Sequence, residues 1–234
     1  MPLPSYTLRV SPRAKRIILK VLPRQGLVVV LPPWAGPEDA RRMVAEHLDW
    51  IAATKERLRG RGLLDQAPPC VPGAVTLPAI GAHYTVRLLP ATGARARLDV
   101  SAGRILVRSG ADDTAGILAA LKDFVARTAR LYLPAQLRTL GRDLGLSFGE
   151  ARIRTQQLRW GSCSACGNIQ LNCKLLFLAP ELLEHVLIHE LCHTRHHNHG
   201  PRFRALLLRL SPGTPELEKR LAVAASQVPA WMDT

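Results

Sequence analysis

The chain has no apolar stretch approaching the ~18 residues that a membrane-spanning helix needs. That excludes a transmembrane helix. Met1-Pro2-Leu3-Pro4-Ser5 is not a charged segment leading into an apolar run, so no signal peptide is visible. Cysteines are few and odd in number: Cys70, Cys163, Cys166, Cys173 and Cys192. Together these features lead us to expect a cytoplasmic protein with reduced thiols and no disulfide framework. Aromatic residues make up only 5% of the chain, which argues against a base-stacking platform for nucleic acid. There is no internal repeat and no low-complexity segment, so solenoids and linker-like chains are excluded.

Acidic residues are also scarce, 18 against 32 basic ones, for a net charge of +14. The isoelectric point is about 10.6. A field of that sign attracts polyanions, nucleic acid before an acidic membrane surface. Residues 1–150 carry 22 basic and 12 acidic residues, and residues 151–234 carry 10 and 6, so the surplus is denser in the first part. Weak, sequence-independent DNA binding is the partner this implies. A purely compositional bias toward arginine is the competing explanation. The rest of the composition, 47% hydrophobic and 21% charged over 234 residues, is that of a globular chain with one or two domains.

Hydrophobic patterning predicts short strands at 6–10, 16–22 and 27–31, broken by Ser11-Pro12 and Pro23-Arg24-Gln25-Gly26. A helix opens at Pro37 and carries Met43, Val44, Leu48, Trp50 and Ile51. It closes among the basic residues 55–61 and Gly62. Residues 66–74 read as a loop. Strands follow at 82–89, 96–100 and 104–108, with turns at Gly93 and Gly103. A helix is expected from Asp112 to about Leu144, capped by Asp112, Asp113 or Thr114 and broken or kinked at Pro134. Residues 153–160 and 168–174 then form two strands joined by a turn holding Gly161 and Gly167. Helices follow from Pro180 to about His197, from Pro201 to Leu210 and around 215–225. The expected class is α+β: an N-terminal β-rich region, 1–110, with one or two helices, and a catalytic region, 111–234, with a β-hairpin and a histidine-bearing helix.

That last helix carries His189-Glu190-Leu191-Cys192-His193. Residues four apart share a helix face at about 5–6 Å, so both imidazoles can reach one ion. Zinc is the expected metal, one per chain, with a position left open for water. The glutamate beside the first ligand is placed to take a proton from that water. Leu182, Leu183, Val186, Leu187, Ile188 and Leu191 make the helix a buried, rigid support. A third ligand must come from beyond it. On a regular helix His185 lies ~12 Å along the axis from His193, and His196 and His197 are similarly far from His189. Asn198 and Gly200-Pro201 end the helix, so His199 can fold back over the ion. His199 is therefore the assigned third ligand, with His196 the alternative.

Two blocks carry a family resemblance. One is Arg159-Trp160-Gly161-Ser162-Cys163-Ser164, continuing through Gly167, Asn168-Ile169 and Leu171-Asn172 to Ala179-Pro180. The other is the histidine motif followed by His196, Asn198-His199 and Pro201-Arg202-Phe203. In these the chain resembles the YgjP-like metallopeptidases, relatives of the SprT-like and WLM zincins. The resemblance implies a zincin-type catalytic half, zinc on His189, His193 and His199, and Glu190 as general base. It also raises a link to DNA through the SprT-like relatives. Cys166 and Cys173 depart from the family pattern, which has a polar residue and an aromatic there. Cys163 and Cys166 form a C-x-x-C with only Cys173 near, short of the four ligands of a structural zinc.

The expected activity is zinc-dependent hydrolysis of peptide bonds in a polypeptide substrate. Trp160 and Asn172 of the hairpin, and Arg202, are candidate substrate contacts, the hairpin offering an edge for an extended peptide. The alternative is a basic nucleic-acid-binding protein whose zinc is structural or catalytically idle. Glu190 discriminates, because a structural site has no need of a carboxylate beside a ligand. The sequence does not define an oligomeric state.

Overall fold

Leu27-Val28-Val29-Val30-Leu31 is an unbroken apolar run, and every residue of it is buried. Successive strand side chains point to opposite faces, so such a run belongs to a central strand covered on both sides. The computed structural model, which describes residues 3–22, 25–60, 70–91, 95–110, 112–156 and 159–233, places it there. Strand β1 (Tyr6–Val10) pairs parallel to β3 (Gly26–Leu31), and β2 (Ile18–Leu22) pairs antiparallel to it. Helices α1 (Pro37–Glu46) and α2 (Leu48–Arg59) contribute buried Ala40, Val44, Ile51 and Leu58. One helix was expected here; His47 divides it, leaving helical dihedrals at φ −122° and ψ 25°. Arg61 and Gly62, Gly93 and residues 66–69 of the loop expected over 66–74 lie outside the described residues.

Backbone contacts divide the chain into Met1–Pro68 and Pro69–Met232. The second unit therefore includes the strands that sequence patterning grouped with the N-terminal region. They form a four-stranded sheet in the order β4-β5-β7-β6: β4 (Ala74–Leu77), β5 (Ala82–Pro90), β6 (Arg97–Ser101) and β7 (Arg104–Ser109). Helix α3 (Thr114–Asp143) follows, with the Asp113 carboxylate accepting from Gly116 N at 2.9 Å as its N-cap. The helix runs unbroken through Pro134. Buried Val125, Ala129, Leu133 and Leu137 hold it to the core on both sides of the proline, which offsets the lost hydrogen bond.

The site rests on a three-stranded sheet, β8 (Ala151–Arg154), β9 (Gly161–Cys163) and β10 (Ile169–Asn172), in the order β8-β10-β9. The hairpin is β9/β10; β8 pairs parallel to β10, a long-range partner that the local pattern did not reveal. Gly161 lies in a strand, and only Gly167 occupies the turn, at φ 73°. Helix α4 (Pro180–Cys192) is buried nearly all round. Leu182, Leu183, Val186, Leu187 and Leu191 enter the main core, and Ile188 and Cys192 pack with Phe203 and Leu207 of α5 (Pro201–Leu210). At about 1.5–3 kcal/mol per fully buried aliphatic side chain, the main-core group alone offsets a carboxylate buried on the same helix. Helix α6 (Thr214–Ala224) follows α5 and packs on α4.

Candidate metal centre

Helix α4 ends at Cys192, five residues before the predicted end near His197. The next turn closes on the last carbonyls: Thr194 N and Oγ1 both donate to Leu191 O, and His196 N donates to Cys192 O at 3.0 Å. The regular helix thus gives way to tighter turns, Thr194 N to Leu191 O and Arg195 N to Cys192 O, before His196. The chain reaches His199 and restarts as α5 after Gly200, with Pro201 in the first turn.

This turn brings three imidazoles together. His189 Nε2 and His193 Nε2 are 3.2 Å apart, His193 and His199 3.1 Å, and His199 and His189 3.2 Å. An imidazole nitrogen is a donor or an acceptor but never both at once, so a closed triangle of three cannot satisfy itself. It suits a cation. Three ligands at tetrahedral angles and the usual Zn–N distance stand about 3.3 Å apart, close to the observed spacing. The tautomer fits as well. His193 Nδ1 donates to the carbonyl oxygen of His196 at 3.1 Å, which leaves its Nε2 as a lone pair.

Burial favours the neutral form of two of these rings, His189 and His193. Burial, with the neighbouring histidines second, pushes His189 down to about 4. His193 is also lowered, mainly by burial. Glu190 is only 5% exposed, and its Oε2 has no hydrogen-bond partner. Burial raises its carboxyl to about 7. The Cys163 thiol of β9 is pushed up, first by burial and then by the nearby Glu190 charge.

Residues 15–224 match the family described as YgjP-like, metallopeptidase domain. The chain belongs to the YgjP-like metallopeptidase family. It is on that ground a zinc metallopeptidase, a hydrolase. The match runs from before β2 to the end of α6, so it takes in both units. Among solved structures, the chain is similar to the metallopeptidase zymogens jannalysin of Methanocaldococcus jannaschii and abylysin of Pyrococcus abyssi. Jannalysin is 22% identical with a TM-score of 0.33, over 36% of this chain and 88% of that one. Abylysin is 28% identical with a TM-score of 0.33, over 36% and 87%. No curated protein matches the chain.

The other candidate residues of this YgjP-like chain fall in different places. Asn172 is 2% exposed and its amide bonds the protein's own backbone. Nδ2 donates to the carbonyls of Gln156 and Arg159, each at 2.8 Å, and Oδ1 accepts from Lys174 N. Trp160 is half-buried against the main core. Arg202 is exposed on the first turn of α5. His185 is buried and bonds Ser211 Oγ at 3.0 Å, and His197 is exposed. Among the described residues, the group placed to hold a metal is His189, His193 and His199; Cys163, Cys166 and Cys173 are not part of it. No helix among the described residues is long and apolar enough to cross a membrane.

Phe203 is the site residue that sequence reasoning missed. Its ring stacks on His193 with centroids at 4.5 Å, and it meets His189 at 5.0 Å and His199 at 4.8 Å edge-on. It is 2% exposed and forms an apolar floor under all three imidazoles. The available signal was its place three residues after Gly200, one turn into a helix that begins right after His199.

Proposed function

We propose that this chain hydrolyses peptide bonds with one zinc ion held by Nε2 of His189, His193 and His199, and with Glu190 as general base. The observation that carries the reading is the convergence of three Nε2 atoms at 3.1–3.2 Å. A zinc ion held there supplies Lewis acidity to a water molecule and to the scissile carbonyl. The Glu190 carboxylate takes the proton of the attacking water and returns it to the departing amide nitrogen. Its burial supports that work, because a carboxyl raised to about 7 is a stronger base than an exposed one. Phe203 excludes water from one side of the imidazoles, and the His196 carbonyl holds the His193 ring.

The outer edge of β9 is the place for the polypeptide. It is an edge strand of its sheet, and α4 packs against it. An extended segment pairing there binds through backbone hydrogen bonds and tolerates varied side chains. Trp160, one residue before β9, and Arg202 are its candidate side-chain contacts. Asn172 instead holds the loop that leads into β9, since both of its Nδ2 hydrogens are committed to backbone carbonyls there and the side chain is buried.

A second reading concerns the basic surface. The first acidic residue of the chain is Glu38, so the preceding six basic residues face no acid within that stretch. In α1 the acids Glu38 and Asp39 already pair with Arg41 and Arg42. Weak DNA binding through this region accompanies the peptidase activity in our reading. A structural or idle zinc is the poorer account, because Glu190 sits buried beside a ligand with its Oε2 lacking a hydrogen-bond partner. Zinc analysis of the purified chain alongside hydrolysis of an unfolded protein substrate tests the proposal; a zinc-free, folded chain would count against it.

A further inference from the structure

Gly161 lies inside a strand, where glycine is a poor choice: it has no side chain to pack and the highest conformational entropy to lose. A turn geometry does not require it, since it is not among the glycines with positive φ. What requires it is space. A Cβ built on Gly161 would stand 2.6 Å from Glu190 Oε1, 2.8 Å from Cδ and 2.8 Å from Cγ, and these are the three nearest atoms to it. All three belong to one side chain. Two of them are carbons of the stem and carboxyl, so rotating the carboxylate end alone does not clear the contact.

Glu190 also has little room to withdraw. It is 95% buried by the same measure that leaves it 5% exposed, and it sits on a helix packed into two clusters. The backbone of β9 is therefore the wall against which the carboxylate rests, and the missing side chain at 161 defines its seat. The geometry points to Gly161 as a positioning residue for the general base: the Cβ-free step in β9 sets where the Glu190 carboxylate stands relative to the three imidazoles. This inference rests on Glu190 being the general base. The contact itself does not depend on that assignment.

The register of β9 makes the device rigid. Gly161 is paired with Leu171, which is fully buried, and Trp160 O accepts from Asn172 N at 2.8 Å. Asn172 in turn fixes the chain on the near side of β9 through Arg159 O. The strand cannot shift outward to admit a methyl group without breaking these bonds, so the carboxylate must move instead.

The test is a double-mutant cycle on the full-length zinc-loaded protein, with Gly161→Ala, Glu190→Ala and the two combined. Thermal stability, zinc content by elemental analysis, and kcat and KM on an unfolded protein substrate are the readouts. Gly161→Ala is expected to keep zinc at the wild-type level, to lower kcat at least tenfold with KM within about twofold, and to lower Tm. Alanine at 161 is expected to cost no Tm in the Glu190→Ala background, where the colliding atoms are gone. Equal loss of Tm in both backgrounds would place the clash elsewhere and overturn the inference. So would wild-type kcat in Gly161→Ala, or a defect confined to KM, which would assign the glycine to substrate. Glu190→Gln separates the two claims. If that variant stays active, the general-base reading fails, while the stability cycle still reports on the contact.

Discussion

His193 Nδ1 donates to the backbone carbonyl of His196 at 3.1 Å, so His196 meets the histidine cluster through its main chain. The bond uses His196's main chain, so its ring is not needed. His199→Ala should therefore lose zinc, whereas His196→Ala should keep it with little change in affinity. Elemental analysis after dialysis against a weak chelator checks both. Full zinc in His199→Ala would remove that residue from the ligand set.

Phe203 touches all three imidazoles and is fully packed. Phe203→Ala should cost about 3–5 kcal/mol of stability through the cavity it leaves. It should also weaken zinc binding by about tenfold, because the rings lose the surface that holds them in register. Denaturant unfolding and a competition titration with a chromophoric chelator measure the two effects. Phe203→Leu should recover most of both.

Acid should destabilise the fold through a group outside the metal centre. His185 is buried against Ser211, and burial lowers its pKa from the ordinary 6.5, with Glu218 opposing in part. The unfolded chain then binds a proton more readily than the folded one, so stability rises with pH in that window. The contribution is fully present above 6.5 and is lost as pH falls from there toward the lowered folded value. Unfolding midpoints at pH 7.5 and 5.5 in zinc-containing buffer should show a smaller drop for His185→Gln than for the wild type. An equal drop in both would assign the acid sensitivity to other groups.

DNA binding through the basic surface should be weak and steeply salt-dependent, since it arises from counterion release. Fluorescence anisotropy at low and near-physiological salt should show affinity falling by orders of magnitude. Single- and double-stranded DNA should differ little. Replacing Arg9, Arg13 and Arg16 together by Gln should weaken binding without affecting zinc content. No binding at low salt would leave the charge as composition alone.

The metal motif was legible because it is local: an i, i+4 histidine pair and a helix breaker are both visible in sequence. The family blocks were legible for the same reason. What was hidden depends on long-range contacts. The end of α4 was misplaced because His193 and His196 settle it between them, and helical periodicity continues through His197 on paper. Strand β8 was misread because its partner is β10, which follows only after β9 in the chain. Gly161 read as a turn residue, since nothing in sequence shows that Glu190 occupies the space a side chain would fill. The backbone bonds of Asn172 were hidden too, because a polar residue beside a motif looks the same whether it serves a ligand or its own backbone.

The most direct test is Glu190→Gln in the zinc-loaded protein. The substitution preserves size and removes only the capacity to accept a proton. Zinc content and Tm should remain at or above wild-type values, while hydrolysis of an unfolded protein substrate should fall by at least a hundredfold, at the lower end of about 10²–10⁴ for a lost general base. Wild-type turnover by a variant that still holds its zinc would contradict the account.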